Sequence, residues 1–243
     1  MARRLPRQLA LPSPRTWGGR RDGAGRKRAR ARPDVPHAPR APHDPRHPVH
    51  VTLRATRGLN SLRSEPAFAA LLRAFSEASR EDFRLVHFSV QTDHVHLIVE
   101  ADSGDHLRGG LNGLACRVAR AVNRAWRRRG PVWADRYHAR ALTTPREVRN
   151  GLVYVLLNFR KHLRAPPSID PRSSGAWFDG WARPPPPTSQ PRPVATPRTW
   201  LGATGWRRGG GPVDVHELPG QFRTPKGAES RWHVGPPQVG PSP

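Results

Sequence analysis

Hydrophobic and polar positions along the chain change period several times, and each change marks an element. At Pro48–Arg54 apolar and polar residues alternate, with Val49, Val51 and Leu53 on one side, which predicts a strand. Ser64–Arg80 turns to helical spacing through Phe68, Leu71, Leu72 and Phe75, with Ser64 as the expected N-cap and Pro66 in the first turn. Two apolar runs, Phe83–Val90 and Val95–Val99, flank the polar triplet Gln91-Thr92-Asp93 and predict a β-hairpin. Asp105–Arg129 repeats Leu107, Leu111, Leu114, Val118 and Val122 every three or four residues, a long helix weakened near its start by Gly109, Gly110 and Gly113. A short alternating strand follows at Tyr137–Leu142. Thr144 then opens a third helix, TPREVRNGLVYVLLNFRKHL, with Pro145 at its first position and Glu147 as the capping-box acid.

The order strand, helix, strand, strand, helix, strand, helix begins as a split βαβ unit. It predicts an α+β fold, a ferredoxin-like antiparallel sheet with helices on one face, over residues 48–165. Residues 1–47 lack apolar periodicity and carry GGRRDGAGRKRARARP, as a disordered basic arm would. Residues 166–243 are rich in proline yet keep Trp177, Trp181, Trp200 and Trp206, which points to an irregular extension partly docked on the core.

Composition sharpens the partner. The formal charge is +24 over 243 residues, which calls for a polyanion, with nucleic acid first. The single Cys116 excludes an internal disulfide and a cysteine-based zinc site. No apolar run approaches the roughly 18 residues of a membrane span, and the N-terminus has no signal-peptide core, so a cytoplasmic, nucleoid-associated protein is expected. On the second long helix Arg117, Arg120, Arg124, Arg127 and Arg128, and on the third Lys161, are the candidate DNA-binding residues.

Candidate chemistry begins at His94-Val95-His96. Period two puts both imidazoles on one face of the strand, Cα atoms roughly 6 to 7 Å apart, where both can reach one divalent ion. On the third helix Tyr154 lies off the main apolar stripe, with Asn158 one turn later. A histidine pair, an amide oxygen and a tyrosine suit phosphoryl transfer through a covalent phosphotyrosine, with Tyr154 as nucleophile and Mg²⁺ or Mn²⁺ held by His94, His96 and Asn158, zinc remaining an alternative. Tyr137 is the alternative nucleophile. His87 and His138 are read as core-satisfied or surface histidines.

At these residues the chain resembles a known family. VHFSVQTDHVHLIVEA, RGGLNGLACRVARAVNR, WADRYHARALTTPREVRNGLVYVLLNFRKH and the distal TWLGATGWRR look like the single-tyrosine HUH transposases (U apolar), in particular the REP-associated tyrosine transposase branch. The resemblance implies a ferredoxin-like fold and metal-dependent nicking and rejoining of single-stranded, hairpin-forming DNA at repeat ends; the sequence leaves both a monomer and a homodimer open. It carries His94 and His96 over as metal ligands, Tyr154 as nucleophile and Asn158 as third ligand. Two positions depart from the family pattern: Asp93 stands where Asn often precedes the first histidine, and Asn158-Phe159 replaces Asn-Pro. Two other readings compete. A binding module without chemistry, built like an RNA-recognition sheet, shares the topology but stacks bases on aromatics at its central strands. A two-histidine phosphoesterase needs a hydroxyl residue two positions after each histidine motif opens, and this chain lacks it.

Overall fold

The computed structural model of the chain describes residues 42–163 and 166–220, the side chains of residues 161–163 excepted. The basic arm predicted over 1–47 lies outside the described residues as far as 41. Its last six residues, 42–47, form a turn in which His43 Nε2 meets the Ala101 carbonyl at 2.8 Å. The tail beyond residue 220 also lies outside the described residues.

Four strands form one sheet: β1 (Val49–Arg54), β2 (Phe83–Val90), β3 (His94–Ala101) and β4 (His138–Ala141). Their spatial order is β2-β3-β1-β4 and each neighbouring pair is antiparallel, the ferredoxin-like arrangement expected of a split βαβ unit. The register sets His94 opposite Arg54, His96 opposite Thr52 and Ile98 opposite His50. On the other side of β3, His96 faces Ser89.

Helices α1 (Glu65–Ser76) and α2 (Gly104–Ala125) share one face of this sheet. There Val49, Val51, Leu53, Val95, Leu97 and Val99 meet Phe68, Leu71, Phe75, Leu111, Leu114, Val118 and Val122 in one buried cluster. Gly110 lets α2 approach closely, since a Cβ there would stand 2.2 Å from the Phe83 ring. Ser64 occupies the N-cap position of α1 but makes no side-chain capping bond, and only its carbonyl serves the helix, accepting from the Phe68 N–H. Ser103 caps α2, accepting from His106 N–H. α2 stops at Ala125, earlier than its pattern suggests, because Arg127 takes a left-handed conformation (φ 49°).

The third helix, α3 (Pro145–Leu163), packs on the opposite face, so the two helices of the split unit share a face and α3 covers the other. Glu147 N–H bonds to Thr144 Oγ1, and the Glu147 carboxylate returns to the N–H and hydroxyl of Thr143, one residue before the N-cap. Outside α3 lies the C-terminal extension, with 3-10 turns at Ser174–Trp177 and Gly205–Gly209 and a one-turn helix α4 (Trp200–Ala203). Phe178, Trp181, Leu201 and Trp206 join Val148, Leu152, Val155, Leu156 and Phe159 in a second buried cluster. The extension also bonds to the β2 edge, where Val90 N–H donates to Arg172 O and Ala195 N–H to Leu85 O. An otherwise open strand edge is thereby covered. Among the described residues no helix is long and apolar enough to cross a membrane.

Candidate functional site

Alternation along β1 and β3 gives the α3 face of the sheet a polar composition: His50, Thr52 and Arg54 on β1, His94, His96 and Glu100 on β3. His96 is the centre. It is 3% exposed, and Asn158 Nδ2, itself on a fully buried side chain, lies 3.0 Å from its Nε2. An amide N–H there can only donate, so Nε2 carries the lone pair and the ring proton sits on Nδ1. Thr52 Oγ1 at 3.1 Å and His50 Nε2 at 3.3 Å stand ready to accept it. Burial, with the charges of His138 and Arg140 adding to it, pushes the His50 imidazole down to about 3, which keeps it neutral and able to accept.

His94 is partly exposed at the rim of this cluster. Its Nδ1 lies 2.7 Å from Asp93 Oδ1, and its ring centroid is 4.7 Å from that of His96. The His94 bond first, then the charges of His94 and Arg54, hold the Asp93 carboxyl well below the usual carboxylate range despite partial burial. Nδ1 of His94 therefore donates to a carboxylate, which makes Nε2 the electron-pair donor of the ring.

α3 brings Tyr154 over His96 and His50. The phenol ring centroid is 4.9 Å from that of His96 and 5.5 Å from that of His50, edge-on to both. Burial raises the Tyr154 phenol above its ordinary value, and a hydrogen bond with Asn158 opposes that rise. One turn of helix separates Tyr154 from Asn158, so both meet the sheet at the same place.

The resemblance implies a divalent metal, and the donor set can be tested against that. The Asn158 oxygen Oδ1 is buried without a hydrogen-bond partner, an expensive condition for an amide. A half-turn of the amide exchanges its two ends and would bring that oxygen beside His96 Nε2. Two imidazole lone pairs and an orphaned amide oxygen fit a divalent cation. Among the described residues, no group of three or more His, Cys, Asp or Glu side chains is arranged to hold a metal, so such a site depends on the amide.

The other sequence candidates are placed elsewhere. Tyr137 is 8% exposed and belongs to the apolar cluster under α1 and α2, on the far side of the sheet from His96. Arg117, Arg120, Arg124, Arg127 and Arg128 ride on or just beyond α2, also on that far side. Arg117 pairs with Glu77 at 3.6 Å, and Arg128 bonds to Asn123 Oδ1 at 2.7 Å. The structure does not bring these arginines to the imidazole pair, because α2 and α3 cover opposite faces. The side chain of Lys161 lies outside the described residues. The sheet cations nearest the imidazoles on the α3 face are instead Arg54, opposite His94 and paired with Asp93 at 3.0 Å, and Arg140, opposite His50 and paired with Glu147 at 2.7 Å.

Two residues joined to His96, His50 and Thr52, escaped notice as site residues in the sequence. The signal was present: if Val49, Val51 and Leu53 face the core, His50 and Thr52 face away from it. His87 is a satisfied core histidine, with Nδ1 at 3.2 Å from Ser174 Oγ. His138 is exposed on β4.

No protein-family model matches the chain, and no curated protein matches it. Among solved structures, the chain is similar to a REP-associated tyrosine transposase bound to a REP hairpin, at 17% sequence identity and a TM-score of 0.45, over 53% of this chain and 74% of that one.

Proposed function

We propose that this protein is a transposase-type DNA strand transferase that nicks and rejoins single-stranded, hairpin-forming DNA through a covalent 5′-phosphotyrosine. The observation that carries the reading is the convergence of His94, His96, Asn158 and Tyr154 on one face of the sheet, with Asn158 Nδ2 3.0 Å from His96 and the phenol ring 4.9 Å from it. The catalytic body is the unit 48–165, and residues 166–243 are its extension.

The Tyr154 oxygen attacks phosphorus, the new O–P bond replaces the bond to the 3′ oxygen, the phenol gives up its proton and the departing 3′ oxygen takes one up. Because burial holds the free phenol protonated, attack needs positive charge close by. Mg²⁺ or Mn²⁺, held by His94, His96 and the Asn158 oxygen, would polarise the phosphate and neutralise charge developing on it. Thr52 and His50 keep the His96 proton on Nδ1, and Asp93 does the same for His94, so in both rings Nε2 is the electron-pair donor, that of His96 facing Asn158. Arg54 and Arg140 border the same face and can exchange their carboxylate partners for phosphates at little cost, as partly exposed ion pairs are weak. The covalent link conserves the energy of the phosphodiester, so attack by another 3′-OH rejoins the strand without a nucleotide cofactor.

Incubation of the full chain with a hairpin-bearing single strand and Mn²⁺ should trap a protein–DNA adduct on a denaturing gel. Tyr154→Phe should abolish it and Tyr137→Phe should leave it. An adduct that survives Tyr154→Phe rejects the nucleophile, and the absence of any adduct under Mg²⁺ or Mn²⁺ leaves a binding protein in place of an enzyme.

A further inference from the structure

The polar face of β3 continues past the imidazoles to Glu100, which the chemistry above does not use. Its carboxylate is fully buried and accepts from Arg198 N–H at 2.7 Å, from Thr199 N–H at 3.2 Å and from Thr199 Oγ1 at 2.7 Å. These bonds fix the chain where it enters α4. Docking of this segment is supplied by Leu201 and Trp206, 7% and 1% exposed. Trp200 is 53% exposed and is one of two exposed large hydrophobic residues among those described.

The Trp200 ring is nevertheless held in place. Gly205 lies against it so closely that a Cβ there would stand 2.7 Å from ring atoms, and the Arg208 guanidinium lies 5.2 Å from the ring centroid. The ring borders a cleft of about 580 Å³ whose lining includes Arg46, Arg198 and the start of α3 at Thr143 and Pro145. Asp102 is the acidic group of the lining and is bound to Arg84 at 2.6 Å, while Arg46 is paired with Asp44 at 2.7 Å in an exposed ion pair that a phosphate can displace at little cost. A lone aromatic among guanidinium groups offers too little contiguous apolar area for a protein or lipid partner. An indole on a fixed mount beside cations has the chemistry that binds unpaired nucleotides, stacking a base while the cations meet its phosphates.

We propose that the Trp200 cleft is a second contact for single-stranded DNA, with a base stacked on the Trp200 ring and its phosphates against Arg198 and Arg46. This rests on the reading of single-stranded DNA as the substrate, and not on the nicking chemistry. The placement suits a strand that reaches both sites. Pro145 lines the cleft and Tyr154 lies nine residues further along α3, roughly 13 Å at 1.5 Å per residue.

The test is fluorescence anisotropy of the full chain with a labelled hairpin bearing an unpaired flank, in EDTA so that no cleavage intervenes. Trp200→Ala should weaken binding about 5- to 150-fold, the range found for the loss of one stacked base, while Trp200→Phe keeps most of the affinity. Arg198→Ala should weaken binding and lower the salt slope by about one. Trp200 is a surface residue, so an unchanged Tm accompanies the loss. The same hairpin without its flank should bind Trp200→Ala and the unaltered protein alike. Binding of the flanked strand by Trp200→Ala within two-fold of the unaltered protein overturns the proposal, and so does an equal loss on the unflanked hairpin. The assay reads binding without cleavage, while the strand-transfer reading fails by the absence of an adduct, so the two failures are told apart.

Discussion

The two faces of the central sheet are made by alternate residues of the same strands, yet they are held by different physics. Under α1 and α2 the facing side chains are Val49, Val51, Leu53, Val95, Leu97 and Val99, and any apolar group of the right volume satisfies its neighbours. Under α3 the same strands present His50, Thr52, His94, His96 and Glu100. Nearly every one of these meets a named partner: Thr52 and Asn158 for His96, Asp93 for His94, Thr199 for Glu100. A buried polar group without a partner costs about 1–3 kcal/mol, so this second face is specified by chemistry where the first is specified by volume. Of the buried polar atoms left without a hydrogen-bond partner, the Asn158 oxygen teaches most, because it lies in the middle of the proposed site.

The largest expected effect separates the faces by stability. Phe88 is fully buried and packs on Phe75 with ring centroids 4.7 Å apart, so Phe88→Ala should cost about 3–5 kcal/mol in urea unfolding. His94→Ala, at the rim of the other face, should cost no more than about 1 kcal/mol while eliminating the adduct. Equal losses from the two substitutions would erase the distinction.

A smaller effect is read from pH. His87 lies on the α3 side, with Ser174 and the edge-on ring of Phe178 against it, and burial, with the charge of Arg192 adding to it, pushes its imidazole down to about 3. In the unfolded chain the same group titrates near 6.5. Above that value it costs nothing; as pH falls below it, the unfolded chain takes up a proton that the folded protein refuses until about 3. Stability should therefore fall by about 1.4 kcal/mol per pH unit on account of this residue. Unfolding at pH 7.5, 5.5 and 4.5 should show that slope reduced by the same amount in His87→Asn. Equal slopes in the two proteins would mean that the imidazole is not buried in its neutral form.

Much of this was legible in the sequence because it depends on local period. Alternation in 48–54 and around His94-Val95-His96 showed which residues share a face, and the order of elements implied the antiparallel strand order β2-β3-β1-β4. What periodicity does not carry is which layer covers which face. Helical spacing placed Arg117, Arg120 and Arg124 on the outer side of α2, but not α2 on the side of the sheet away from His96. It also set Asn158 apart from the apolar stripe of α3, yet Asn158 is fully buried, because α3 is enclosed between the sheet and the extension. Glu100 was only half legible: the hairpin puts Arg84 opposite it, 3.5 Å away, but its hydrogen-bond donors stand 98 and 99 residues further along in a segment with neither helical nor strand period.

The smallest substitution tests the link between partner and chemistry most directly. Thr52→Val keeps the shape of the side chain and removes the oxygen 3.1 Å from His96 Nδ1. His50 Nε2, at 3.3 Å, still offers an acceptor, so the ring is not left wholly unpaired and the stability cost should stay near 1 kcal/mol. Yet Thr52 is the nearer of the two groups that hold the His96 proton on Nδ1, and losing such a support around a metal-binding imidazole typically costs 10- to 100-fold in affinity or activity. The Mn²⁺ concentration that half-saturates adduct formation should therefore rise at least about 10-fold in Thr52→Val and return toward its original value in Thr52→Ser. A rise in both variants would point to packing alone, and a half-saturating concentration unmoved by Thr52→Val would mean that the hydroxyl does not orient His96.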